Sequence, residues 1–134
     1  MRFVCRHVNL RVETTRSPFT AQYAKGEVVA VPVAHGEGRY VCDDATLSAL
    51  QESDSILFRY CAADGSITGD ANPNGSRDNI AGIVGGVRRN VLGMMPHPER
   101  AVLTRLGSEG GTKLFTSLRE SLIIADVEPV MLIA

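Results

Sequence analysis

Pro96-His97-Pro98-Glu99 is the sharpest chemical signal in this chain of 134 residues. Side chains two apart in an extended segment project to the same side, so the Glu99 carboxylate can approach one imidazole nitrogen of His97. The carboxylate then selects the tautomer and leaves the other nitrogen to act as a general base. Prolines on either side of His97 fix φ and stiffen the segment, which suits a pair whose geometry must be held. The alternative is a surface loop in which both side chains are simply solvated, because strand-end loops often carry sites but need not.

A base needs something to deprotonate. A strand-to-helix nucleophile elbow has small residues on both sides of its serine or cysteine. Cys5 lies in Phe3-Val4-Cys5-Arg6 and Cys61 in Phe58-Arg59-Tyr60-Cys61, both strand-like, and Cys42 follows Val41 just before a helical stretch. All three read as small core or surface residues. Gly107-Ser108-Glu109-Gly110 has the wrong spacing and no strand before it. The acid–base half of a nucleophilic apparatus is thus present without its nucleophile.

His35-Gly36-Glu37-Gly38-Arg39 is a second constellation. Two H-x-E pairs with His7 nearby raise a metal site, but a zinc deaminase would add P-C-x-x-C and a structural zinc site several closely spaced cysteines, and neither occurs. The expectation is therefore no metal. A dinucleotide loop fails too, since G-x-G-x-x-G would require glycine where Val41 stands. At the end of an apolar strand, His35, Gly36, Glu37 and Arg39 read instead as contacts to a ligand or partner. Asn72-Pro73-Asn74-Gly75-Ser76 reads on composition as a tight turn, and Arg88-Arg89 as a solvated hairpin tip.

The elements that must position these residues are legible from periodicity. Met1 to Val12 alternates as a half-buried strand. Ser17-Pro18 breaks it, and Phe19 to Lys25 forms a short helical turn ending at Gly26. Glu27 to Ala34 is a near-continuous apolar run that predicts a strand buried on both faces. Asp43 or Asp44 caps a helix from Ala45 to Glu52, with Leu47 and Leu50 at helical spacing. Ile56 to Ala62 is a strand closed by Ala63-Asp64-Gly65-Ser66. Asn79 to Gly85 and Asn90 to Met95 predict a hairpin. Gly111 to Ala125 predicts an amphipathic helix with Leu114, Phe115, Leu118, Leu122 and Ile123 on its core stripe. Asp126 to Ala134 is apolar enough to be a tail or a strand-like contact. No internal repeat or linker interrupts this single α/β unit.

Composition sets the outer bounds. Hydrophobic residues make up 44%, charged residues 22%, and the mean hydropathy is +0.01. These values exclude disorder and low complexity. Fourteen Lys+Arg against fifteen Asp+Glu give a net charge of -1, so nucleic acid is not the expected partner. No apolar run reaches membrane-spanning length. Three cysteines at unrelated spacings, with no secretion signal, point to reduced thiols in the cytoplasm. Aromatic residues are only 5%, while Gly reaches 13 and Pro six, which shifts the weight of function toward backbone-led loops.

Five motifs in register carry a family resemblance. Arg2-Phe3-Val4-Cys5-Arg6, the run Pro32 to Tyr40, Asn72 to Ser76, Asn79-Ile80-Ala81-Gly82-Ile83 and Met94 to Arg100 together resemble the glutaminase subunits of phosphoribosylformylglycinamidine synthase, which are class I glutamine amidotransferases of purine biosynthesis. Ser17-Pro18-Phe19-Thr20 and the compact spacing look like the small stand-alone subunit. The resemblance covers the C-terminal part of that family's flavodoxin-like domain, so residues 1–134 would be one partial domain with a mixed sheet and flanking helices. It implies that His97 is the triad base and Glu99 its orienter, with the cysteine elbow absent. It also implies weaker roles near glutamine or the synthetase interface for the loops at His35 to Tyr40 and Asn72 to Ser76, including Asn74 and Ser76. The implied partners are L-glutamine, a synthetase subunit that uses ATP and magnesium, and a small accessory subunit, with no cofactor on this chain. Alone, the chain is expected to be inactive. The alternatives are a non-catalytic assembly module or a self-associating fragment whose severed sheet exposes an edge.

Overall fold

The computed structural model describes residues 3–124 and 130–133. Strands β1 (Val4–Val12), β2 (Val28–His35), β3 (Ile56–Cys61), β4 (Ile80–Gly85), β5 (Val91–Met94) and β6 (Val130–Ile133) form one six-stranded sheet in the order β2-β1-β3-β4-β5-β6. All neighbours are antiparallel except β5 and β6, so the sheet is mixed, as expected. Helices α1 (Asp44–Glu52) and α2 (Thr112–Ile124) complete the α/β architecture. None of the described helices is long and apolar enough to cross a membrane.

The period-two pattern of β1 turns Val8, Leu10 and Val12 into the core, where Val8 faces Val31 and Leu10 faces Val29 across the β1–β2 ladder. The run in β2 does not become a strand buried on both faces. Val29, Val31, Val33 and His35 are buried, while Val28, Ala30, Pro32 and Ala34 between them are only half-buried. The reason is position, because β2 ends the sheet. Central β3 is the strand packed on both sides, with only Arg59 half-buried. Pro32 is tolerated because an end strand has no outer ladder for its missing N–H.

The hairpin forms as expected, with Gly82 opposite Met94 and Gly85 opposite Val91. Its tip is not fully solvated: Arg89 donates from Nη1 and Nη2 to the carbonyls of Ser53 and Asp54, both at 2.7 Å, satisfying carbonyls just beyond α1. Asp43 is the N-cap of α1, its Oδ1 accepting from the Thr46 N–H at 2.8 Å. Leu47 and Leu50 are half-buried and join no core cluster. In α2 the inward side is Leu114, Ser117 and Leu118, whereas Leu122 is 46% and Ile123 77% exposed. At 100° per residue Ile123 lies half a turn away from Leu114, which the apolar stripe ignored. The segment before β2 forms three turns, closed by the N–H groups of Thr20, Tyr23 and Glu27 onto the carbonyls of Ser17, Thr20 and Ala24, with Tyr23 edge-on against Phe58 at 6.0 Å between ring centroids. Met1, Arg2, Ala125, residues 126–129 and Ala134 lie outside the described residues, and of the expected tail only β6 is described.

The sheet curls until the segment after β5 reaches the outer side of β2. The His97 N–H donates to the Pro32 carbonyl at 2.9 Å, and the Ser108 hydroxyl donates to the Ala30 carbonyl at 2.6 Å. Edge β2 is therefore covered by residues 97–110 rather than open. Gly110 and Gly111 make the approach fit: a Cβ at Gly111 would lie 2.1 Å from the Pro98 carbonyl oxygen. That clash is with backbone and has no rotamer escape. Gly111→Ala should therefore destabilise the chain by about 1–3 kcal/mol or more. Gly69→Ala, where a Cβ meets nothing within 4 Å, should stay within about 0.5 kcal/mol of the parent. Thermal melts of the two variants side by side check this.

Candidate active site

Met95 ends the hairpin by donating its N–H to the Ala81 carbonyl at 3.2 Å, and the chain then turns at Pro96. The extended geometry expected for residues 97–99 is replaced by a 3-10 turn, Pro98–Arg100, with proline in its first turn. His97 sits just before it with φ −102°, tied to β2 through its N–H. The turn still delivers the pairing: His97 Nδ1 lies 2.9 Å from Glu99 Oε1. The His97 side chain is 12% exposed and Glu99 40%, so the base is sheltered and its carboxylate partly solvated. Arg100 Nε at 3.4 Å shares the same carboxylate oxygen. With Nδ1 committed to Glu99, Nε2 is the nitrogen that can exchange a proton with a reacting group.

The second constellation packs against the first. Gly38 has φ +132°, and a Cβ there would lie 2.5 Å from Met95 Cγ and 3.7 Å from His35 Cγ, so the loop is pressed onto the residues leading into His97. His35 is 7% exposed, and its Nε2 is buried without a hydrogen-bond partner. Burial holds the His35 pKa below its ordinary value; a hydrogen bond to the Glu37 backbone partly offsets this, and the neighbouring His97 lowers it further. Both imidazoles therefore share one electrostatic neighbourhood, in which His35 favours its neutral form.

Two open clefts meet at Gly38 and Arg39. One, of about 520 Å³, mixes polar and apolar walls and is lined by His35, Gly36, Glu37, Arg39, Pro73 and Asn74. The other, of about 360 Å³, is apolar, with Tyr40, Ile80, Gly82, Gly93 and Met95 along its walls. Glu37 and Arg39 are exposed side chains of opposite charge that line the 520 Å³ cleft.

Asn72 to Ser76 is more than a tight turn. Asn72 Oδ1 accepts the N–H groups of Gly75 and Ser76 at 2.9 and 3.1 Å, an Asx arrangement that organises the loop internally. Asn74 Nδ2 donates to the Gly38 carbonyl at 3.1 Å, and the Tyr40 N–H donates to Ser76 Oγ at 3.0 Å. Ser76 is 4% exposed and lies behind the cleft rather than in it. The sequence reading missed Asn79, which adopts φ +55° and donates from Nδ2 to the Tyr60 and Thr68 carbonyls at 3.0 and 2.7 Å. Its sequence signal is an asparagine at the head of the strand expected from Asn79 to Gly85, a residue type that tolerates left-handed backbone.

Cys5, Cys42 and Cys61 are all free thiols. Burial pushes the Cys61 thiol up, away from the thiolate. Among the described residues none of the three is hydrogen-bonded to His97. No group of three or more His, Cys, Asp or Glu side chains gathers among the described residues to hold a metal ion.

Burying His35 in its neutral form has a consequence for pH. A histidine whose folded pKa is depressed gives stability that is complete above its unfolded value of about 6.5 and lost as pH falls below it. The melting temperature of the parent chain should therefore drop more between about pH 7.5 and pH 5 than that of His35→Gln, and parallel melting curves at both pH values test this.

Residues 1–113 match the family model of the CobB/CobQ-like glutamine amidotransferase domain. The phosphoribosylformylglycinamidine synthase subunit PurQ of Rhodospirillum rubrum is 58% identical over 122 residues, which are 91% of this chain and 53% of that relative. The corresponding subunit of Koribacter versatilis is 57% identical over 118 residues, 88% of this chain and 51% of that relative. The chain thus spans about half the length of the curated relatives it matches. A chain in the solved structure of PurLQS from Thermotoga maritima superposes with a TM-score of 0.72 at 39% identity, covering 90% of this chain and 49% of that one. The match over residues 1–113 and relatives 57% and 58% identical show that this chain belongs to the CobB/CobQ-like glutamine amidotransferase domain family.

Proposed function

We propose that this chain is the base-carrying part of a glutaminase that supplies ammonia for amidation of formylglycinamide ribonucleotide in purine biosynthesis. The observation that carries the reading is the 2.9 Å contact between His97 Nδ1 and Glu99 Oε1. The printed names of the relatives and the fold likeness to a chain of PurLQS support it. Residues 1–134 then form a partial domain, and the nucleophilic cysteine belongs to the portion of the relatives that this chain does not span.

In this scheme a thiolate attacks the side-chain amide carbon of L-glutamine, and the C–N bond breaks as His97 Nε2 delivers a proton to the leaving ammonia. His97 then takes a proton from the water that hydrolyses the thioester, which releases glutamate and the thiol. Glu99 holds the imidazole in the Nδ1–H tautomer and stabilises the imidazolium while it exists. Glu37 and Arg39, which line the 520 Å³ cleft, have the charges to pair with the ammonium and carboxylate of a free amino acid. Ammonia passes to a synthetase subunit, which brings ATP and magnesium, in a complex completed by a small accessory subunit. No cofactor is assigned to this chain.

A second reading is assembly without catalysis. It is favoured by the apolar cleft between Tyr40, Ile80, Gly82 and Met95, and by Val41, which is 71% exposed beside it in sequence. A partner or a second copy of this chain could cover that surface.

One set of assays separates the readings. The chain alone should release no ammonia from glutamine, and adding the segment of a relative that it lacks should restore release. His97→Ala should then lower the restored rate by about a thousandfold or more, because triad members act as a unit. Robust release by the isolated chain would overturn the proposal. Undiminished capture of a synthetase subunit by the His97→Ala/Glu99→Ala double variant, with no glutaminase restored in the parent, would favour assembly. Concentration-dependent mass in solution would reveal self-association.

A further inference from the structure

The loop from Asn72 to Asn79 uses its polar groups in a way that no ligand contact explains. Ser76 Oγ donates to Asn74 Oδ1 at 2.7 Å and accepts from the Tyr40 N–H, so both of its functions are engaged inside the protein. Asn74 Oδ1 also accepts from the Ser76 N–H, while Nδ2 holds the Gly38 carbonyl. The Arg77 N–H donates to the Tyr40 carbonyl at 2.9 Å, so both backbone groups of Tyr40 are taken by this one segment. Behind it, Asn72 Nδ2 donates to the Ser76 carbonyl at 2.8 Å and to Asn79 Oδ1 at 3.2 Å, and Asn79 is anchored to β3 through the Tyr60 carbonyl. A continuous chain of hydrogen bonds therefore runs from the central sheet to Gly38 and Tyr40, and it stops there. Gly36, Glu37 and Arg39 remain exposed on the far side.

We infer that Ser76, braced by Asn72 and Asn79 and linked through Asn74, is a positioning residue: it sets the backbone of Gly38 and Tyr40 so that the exposed part of the loop meets a small amino-acid substrate, and it does not touch that substrate. The physical argument is that a glycine-rich loop has many conformations of similar energy and loses affinity to ordering unless it is ordered beforehand. Three backbone groups, the Gly38 carbonyl and both groups of Tyr40, supply that order. His97 and Glu99 make no bond to this network among the described residues, so it acts on binding rather than on proton transfer.

The inference rests on the proposed glutaminase reading, and its test has an arm that does not. In the 134-residue chain, Ser76→Ala should speed hydrogen exchange at the Tyr40 amide by roughly tenfold, the loss of about one net hydrogen bond. In the protein complemented with the part of a relative that this chain does not span, the same variant should raise KM for glutamine several-fold and leave kcat within about twofold, as loss of uniform binding requires. Ser76→Thr keeps the hydroxyl and should restore both readouts. If Ser76→Ala fails to fold, Asn74→Asp takes its place: the acceptor for Ser76 stays, the donor to the Gly38 carbonyl goes, and KM for glutamine should rise several-fold with kcat held. Unchanged Tyr40 exchange, or a fall in kcat at constant KM, would overturn the inference. Should the complemented parent release no ammonia, the glutaminase reading falls, and the exchange arm by itself then decides whether Ser76 holds the loop.

Discussion

One backbone hydrogen bond organises this molecule: the His97 N–H donates to the Pro32 carbonyl. The two residues belong to opposite sides of the sheet, Pro32 on end strand β2 and His97 just past β5, with β1, β3 and β4 between them in the ladder. For the bond to form, the sheet must curl. Strand twist makes curling available, but a specific acceptor is needed to end it at a given place. Pro32 provides one, since an end-strand residue has a carbonyl that no neighbouring strand consumes. The same closure covers the outer side of β2 and fixes the backbone of the residue whose side chain pairs with Glu99. Packing then holds the arrangement: Gly110 and Gly111 allow backbone to approach backbone where any side chain would intrude.

From that closure follows the way in which the two constellations meet. His35 ends β2 and His97 lies against β2, so both imidazoles come into one electrostatic neighbourhood although 62 residues apart, from 35 to 97. Their roles divide by environment. His97 has a carboxylate partner and a sheltered but not sealed side chain, whereas His35 is buried with an unpartnered nitrogen that disfavours charge. Gly38 presses on Met95 from the other direction, so the loop, the strand end and the histidine form a single packed unit. Such a unit transmits displacement, which is why bracing by Ser76 and Asn79 matters for a cleft that only Pro73 and Asn74 of their segment line.

The sequence made some of this legible for identifiable reasons. Alternation in β1 and the hairpin of β4 and β5 are local signals, and both appear where expected. The pairing of His97 with Glu99 was legible as well, although by a different backbone route, a 3-10 turn in place of an extended segment. Other expectations failed where a residue's surroundings were required. The apolar run of β2 predicted burial on both faces, yet strand order leaves one of its faces half-covered. Ile123 was apolar and helical but half a turn from the packed side. Arg89 was counted as solvated, and its guanidinium closes carbonyls beyond α1. Asn79 is legible as the start of a strand and a motif but not as a brace, because that role lies in the carbonyls of Tyr60 and Thr68, which the sequence does not place beside it.

By itself, then, the sequence determined residue types and short-range spacing: an imidazole two positions from a carboxylate, a glycine-rich loop after a strand, five motifs in an order that marks a family, and no elbow for a nucleophile. These follow from covalent proximity and period, which local chemistry governs. Only the tertiary structure decided which strand was central, that the sheet closes through Pro32 and His97, that His35 is buried beside the catalytic candidate, and that Asn74 and Ser76 face a neighbouring loop. The physical reason is that burial, electrostatic coupling and hydrogen-bond partnership are properties of pairs distant in the chain. They come into existence only when the sheet curls and brings those pairs within a few ångströms of each other.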